Sequence, residues 1–205
     1  MLRPSAIVFD LGKVLVDFDY AIAGRRIASR AKAAIDPARF VSDHSDLLLR
    51  YELGQVTTRQ FFDEIRVATG FDGSFEEFGR FFGDIFTPIQ PMVELHAALR
   101  RKGFPTYIFS NTNDLAVEHI RRSFPFFSNF DGYIFSYQHG AMKPDAKLYE
   151  VVEREAKRHG EEILYLDDRP ENIAAGAARG WQVLLHESPE KTRAALEQPK
   201  LLVGA

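Results

Sequence analysis

The sequence predicts an α/β protein: a parallel sheet covered by helices on both faces, interrupted early by an all-helical insertion. Three observations predict it. Beyond residue 91, short apolar runs alternate with helix-patterned stretches, an order that requires crossover connections and a doubly covered sheet. The first apolar run, Ala6–Asp10, reads AIVFD, unbroken by polar residues as in a strand buried on both sides. Between Tyr20 and Phe86, apolar residues recur three or four apart and no convincing strand appears.

Taken in order, the strand Ala6–Asp10 closes on a carboxylate, and Leu11–Asp19 reads as loop with a second extended piece at Val14–Val16. The insertion follows, with three or four helices expected. Gly54 stops one of them, and Thr57 with Gln60 and Ser74 with Glu77 have the spacing of capping boxes that start the next two. Pro91–Lys102 opens on proline and meets Gly103, the usual punctuation of a helix. Thr106–Phe109 is a strand ending at Ser110, Asp114–Arg122 a helix and Gly132–Phe135 a strand. Pro144–His159 repeats the proline start, with Gly160 as its stop. Ile163–Leu166 is a strand ending at Asp167–Asp168, and Pro170–Arg179 a helix closed by Gly180. Gln182–Leu185 is the last strand and Ser188–Glu197 a last helix. The expected domains are a core of residues 1–19 and 87–205 and an inserted helical unit of residues 20–86.

Composition narrows the function classes. At 45% hydrophobic residues, the chain can bury a sizeable core. A formal net charge of −3 offers no basic surface for nucleic acid or an anionic membrane. The absence of cysteine excludes disulfides, thiolate catalysis and cysteine-based metal sites. No apolar run approaches the ~18 residues that span a bilayer, and the N-terminus lacks the three-part layout of a secretory signal. A cytoplasmic protein is expected. The six histidines lack metal-ligand spacing, and the Phe61–Phe62, Phe81–Phe82 and Phe126–Phe127 pairs read as core.

Three expected strands end in polar residues: Asp10, Ser110 and Asp167–Asp168. Ligands of open α/β sheets bind beyond the carboxyl ends of the strands, where such groups converge. Lys143–Pro144 adds a cation at an expected helix start, where free backbone N–H groups also attract anions. Clustered carboxylates suit Mg²⁺, Ser110 and Lys143 suit phosphate oxygens, and a carboxylate near both can attack phosphorus.

The stretches FDLGKVLVD, FSNTND, KPDAKLYE and YLDDRPENIAAGAARG, in this order, resemble the four motifs of the haloacid dehalogenase-like superfamily. Within it they are similar to bacterial α-D-glucose-1-phosphate phosphatases and the phosphatase domain of epoxide hydrolases. The resemblance implies a Rossmann-like core with a helical cap. It also implies an Mg²⁺-dependent phosphatase that hydrolyses a small phosphomonoester of sugar-phosphate type through an aspartyl phosphate. Asp10 matches the nucleophile and a metal ligand, and Gly12 the residue whose carbonyl faces the metal. Ser110 and Asn111 match the phosphate-contacting pair, and Lys143 the lysine that neutralises Asp10 and the phosphate. Asp168 matches the principal metal carboxylate and Asp167 the acid before it. Asn172 stands where many members carry a further acid.

One departure bears on rate. Most phosphatases of the superfamily carry a second Asp where this chain has Gly12, and that Asp protonates the leaving group. Asp17 or Asp19, at the hinge of the insertion, or a water bound to the cation, are the candidates to replace it. The insertion matches a cap that closes over substrate, with His44, Arg50, Tyr51 and Glu52 as candidates to meet the leaving group. Two alternatives stand beside this reading: a 2-haloacid dehalogenase, whose Asp attacks carbon without metal, and a non-catalytic phosphate-binding protein. The partner expected is a small phosphate ester, and nothing in the sequence indicates an oligomeric state.

Overall fold

The structure, a computed structural model, describes residues 3–197 and 201. Residues 1, 2, 198–200 and 202–205, at the two ends of the expected core, lie outside the described residues. The chain opens with β1 (Ala6–Phe9) and β2 (Val16–Phe18), then runs through α1 (Tyr20–Ala28), α2 (Phe40–Asp43), α3 (Ser45–Glu52), α4 (Thr58–Thr69) and α5 (Phe75–Gly83). It continues with β3 (Phe86–Pro88), α6 (Gln90–Arg101), β4 (Thr106–Ser110), α7 (Asp114–Ser123), β5 (Gly132–Phe135) and α8 (Ser136–His139). Then follow α9 (Ala146–Ala156), β6 (Ile163–Asp167), α10 (Pro170–Ala178), β7 (Gln182–Leu185) and α11 (Pro189–Glu197).

Among the described residues the main sheet has five strands in the order β5-β4-β1-β6-β7, all paired in parallel. The central strand explains its sequence. Ile7 and Phe9 point into a cluster with Leu95, Leu99 and Ile120, while Ala6 and Val8 point into another with Leu148, Tyr149 and Val152. A strand covered on both faces has no polar side, hence the unbroken AIVF. The helices α1 to α5 share a third cluster, in which Tyr51, Phe61, Phe62, Phe78 and Phe82 pack edge-on or stacked. The phenylalanine pairs are therefore packing residues: Phe61, Phe62, Phe82 and Phe127 are buried, and Phe81 and Phe126 lean on the same clusters.

Local chemistry sets the helix boundaries. Thr57 and Gln60 form the complete capping box, with Gln60 N donating to Thr57 Oγ1 at 3.2 Å and Thr57 N to Gln60 Oε1 at 2.8 Å. Ser74 accepts from Glu77 N at 3.1 Å, but the Glu77 carboxylate turns to Arg30 instead, 3.2 Å away.

The structure departs from expectation at several elements, the unexpected single turn α8 among them. The extended piece expected at Val14–Val16 lies two residues later, because Leu15 N and Val16 N both bond back to the Leu11 carbonyl and make residues 11–15 a turn. Strand β3 was not expected. It pairs antiparallel with β2, Phe18 opposite Phe86 and Val16 opposite Pro88, joining the two ends of the insertion in a short ribbon. The insertion holds five helices rather than three or four, since His44 separates the single turn α2 from α3. Pro144 does not start a helix: the Lys143–Pro144 bond is cis, α9 begins on the Asp145 cap, and it closes early at Lys157 with φ 52°.

Candidate active site

Asp10 follows β1, Ser110 ends β4 and Asp167 ends β6, which places all three at one edge of the three central strands. From β1 the chain moves outward through β4 to β5, then returns to β6 on the other side. That reversal opens a crevice at the strand ends.

Lys143 ties the crevice together. Its Nζ is ion-paired with Asp10 Oδ1 at 2.9 Å and donates to Asp167 Oδ2 at 2.7 Å and to the Phe109 carbonyl at 3.0 Å. Asn111, assigned by resemblance to phosphate contact, makes a two-way bond with the backbone of Lys143: Nδ2 donates to the carbonyl at 3.1 Å, and Lys143 N donates to Oδ1 at 2.7 Å. It also borders the cleft. Ser110 is buried at the cleft floor.

The two acids at the end of β6 differ. Asp167 is fully buried and saturated. Its Oδ1 accepts from Arg169 N at 2.8 Å and Asn172 Nδ2 at 3.0 Å, and its Oδ2 accepts from Lys143, Asn172 and the Tyr165 hydroxyl. Asn172 is thus a buried partner of Asp167, not a surface amide. Asp168 opens onto the cleft instead. The cleft itself measures about 220 Å³. Asp10, Gly12, Ser110, Lys143 and Asp168 line its core side, and Phe18, Tyr20 and Glu52 face them from the ribbon and the insertion.

Asp17 and Asp19 do not enter. Asp17 is exposed and ion-paired to Lys13, whose hydrogen bond, with that of Phe18 N, holds its carboxyl below the usual range. Asp19 Oδ1 caps α1 through Ala21 N at 2.8 Å. Of the four insertion candidates, His44 bonds the Phe40 carbonyl at 2.8 Å, Arg50 pairs with Glu64 at 3.3 Å and Tyr51 bonds Asp114 and Thr58. Glu52 alone reaches the cleft. Sequence reasoning missed Tyr165 and Tyr20. For Tyr165 a signal existed: it stands two residues before Asp167 on the same strand, hence on the same face.

Charge in the site is unbalanced. Carboxylate oxygens of Asp10, Asp167 and Asp168 come within 4.8 Å of one another around the Lys143 ammonium, while Lys13 and Arg169, which also line the cleft, are paired with Asp17 and Glu171. Burial, with the charge of Asp167 adding and Lys143 opposing, pushes Asp10 up to about 7. Burial and Asp167 also raise Asp168. Burial pulls Lys143 down, but Asp10 and Asp167 outweigh it and hold the ammonium charged. Burial pushes Asp167 up, and Lys143, Tyr165 and Arg169 N together bring it below its usual value. A hard divalent cation fits this donor set: the oxygens are carboxylates, and one ammonium, Lys143, is shared between two of them.

Residues 4–180 match the family model for haloacid dehalogenase-like hydrolases. The chain is 24% identical over 188 residues to D-ribitol-5-phosphate phosphatase of Bacteroides thetaiotaomicron, covering 89% of this chain and 91% of that one. It is 24% identical over 179 residues to a sesquiterpene phosphatase of Aspergillus oryzae, covering 86% of each. Among solved structures, a haloacid dehalogenase family enzyme of Bacteroides thetaiotaomicron in complex with magnesium and inorganic phosphate superposes with a TM-score of 0.74 at 19% identity, covering 89% of this chain and 93% of that one. At that identity the superposition speaks to the fold alone.

Proposed function

Because this chain belongs to the haloacid dehalogenase-like hydrolase family, we propose that it is a phosphatase that hydrolyses a small phosphomonoester on Asp10, with Mg²⁺ held by Asp10, Asp168 and the Gly12 carbonyl. The observation that carries this reading is the meeting of Asp10, Lys143 and two further carboxylates at the ends of β1 and β6. Two relatives spanning most of the chain are named as phosphatases, and a structural neighbour holds magnesium with phosphate. A cleft of about 220 Å³, below the ~300–1,000 Å³ of drug-sized sites, favours a small ester. Residues 20–86 serve in this reading as the cap over residues 1–19 and 87–205.

The chemistry follows from the side chains. Asp10 supplies the oxygen that bonds to phosphorus as the ester oxygen leaves, and water later displaces it to free phosphate. The obstacle is repulsion between a phosphate dianion and the attacking carboxylate. A divalent cation offsets that repulsion when bound. Lys143 fixes Asp10 at 2.9 Å and lends its charge to the transition state. Asp167 cannot take part directly, since both its oxygens are saturated; it holds Lys143, and Asn111 holds the backbone beneath it. A panel of sugar, polyol and nucleoside phosphates assayed with Mg²⁺ tests the reading. Turnover of at least one small ester is expected, and Asp10→Asn should abolish it. Undiminished turnover by that variant would refute the role of Asp10.

A further inference from the structure

An alkyl phosphate parts from its alcohol far faster when a proton is given to the departing oxygen, by about 10²–10⁴-fold. On the phosphatase reading, which this inference rests on, no carboxyl on the core side of the cleft is free to give one. Asp10 attacks, Asp168 serves the cation, Asp167 is saturated and Lys143 is engaged by Asp10 and Asp167. Position 12 cannot supply an acid as the site is built: a Cβ there would stand 2.9 Å from Cε1 of Phe18, whose ring fills that space.

One carboxyl lining the cleft has no other task. Glu52 ends α3, and its partly buried side chain has no hydrogen bond or ion pair among the described residues. A carboxylate at a helix C-terminus faces the negative end of the helix dipole, and burial without a partner costs further. An acid placed against both penalties, and aimed at a reaction cleft, is placed for chemistry. We propose that Glu52 is the proton donor to the leaving group. As the Asp10 Oδ–P bond forms and the P–O bond to the alcohol breaks, the Glu52 proton passes to the departing oxygen, leaving alcohol and a Glu52 carboxylate. That carboxylate then takes a proton from the water that displaces Asp10, which releases phosphate and restores the acid. Burial raises Glu52 to about 7, so a proton is present to give near neutrality.

The test compares leaving groups. With the intact protein and Mg²⁺, kcat/KM is measured for the best polyol or sugar phosphate, whose alkoxide needs a proton, and for 4-nitrophenyl phosphate, whose leaving group does not. This ratio reports steps up to alcohol release. Glu52→Gln should lower the alkyl value by about 10²–10⁴-fold and the aryl value far less, with melting temperature and inorganic phosphate binding retained. Equal losses on both esters, no loss on either, or an unaltered protein that hydrolyses only the aryl ester would overturn the role of Glu52. Hydrolysis of neither ester by the unaltered protein would instead overturn the phosphatase reading beneath it.

Discussion

A lysine with 2% of its side chain exposed is costly to bury, several kcal/mol before its partners are counted. Lys143 is tolerated because two carboxylates and a carbonyl meet it, and because Asn111 clamps its backbone. Another buried polar residue, His96, makes the opposite choice. It lies on the core side of α6, 3.0 Å from Thr106 Oγ1 and stacked 3.9 Å from the Phe130 ring. Burial, reinforced by the charge of Arg100, lowers it from 6.5 to about 4. Between those values the unfolded chain binds a proton that the folded one refuses. His96 therefore contributes its full stability above pH 6.5, and that contribution is lost as pH falls toward 4, about 3 kcal/mol in all. Urea unfolding across that window should show a shallower loss for His96→Leu than for the unaltered protein; parallel curves would contradict the assignment. At this scale the sequence was legible where charge stood beside a recognisable boundary, at a strand end for Asp10 and Asp168 and before a proline for Lys143. It was not legible for Asp167 or Glu52, whose roles depend on which neighbours their side chains meet across the fold.

Among the elements, the join between insertion and core decides whether Glu52 faces the cleft. Asp114, at the start of α7, accepts from the hydroxyls of Tyr51 on α3 and Thr58 on α4. Directly after α3, Gly54 has φ 67°, and a Cβ there would stand 2.1 Å from the Tyr137 carbonyl oxygen. Gly103 has φ 82° with nothing within 4 Å of such a Cβ. Alanine at either position incurs the left-handed penalty of about 1–2 kcal/mol, but only Gly54→Ala must also push the insertion off the core. Gly54→Ala should therefore destabilise more than Gly103→Ala and raise KM, while Gly103→Ala leaves KM unchanged. Equal effects in unfolding and kinetic assays would count against a seated insertion. Long helices with proline starts, glycine stops or capping boxes were readable because those signals are local. The β2–β3 ribbon was not: its strands are three residues each, too short for a period, and they pair across the whole insertion. The single turns α2 and α8 were lost for the same reason of length.

At the scale of the whole molecule, one sheet brings together residues far apart in the chain. Alternating apolar runs and helices sufficed to predict a parallel sheet, and its polar strand ends to predict a site, because both follow from period and punctuation. The strand order, and with it the neighbourhood of β1 and β6, was not legible, since pairing partners leave no local mark. The central claim is that this convergence makes Asp10 a phosphoryl acceptor. The most direct measurement is acid quenching of the protein during turnover of its best ester with Mg²⁺, followed by peptide mass spectrometry. The account predicts one phosphoryl group on the peptide containing Asp10, absent when the metal is chelated and absent in Asp10→Asn. A phosphoryl group on a different residue, or an unmodified Asp10 throughout rapid turnover that Asp10→Asn sustains, would contradict it.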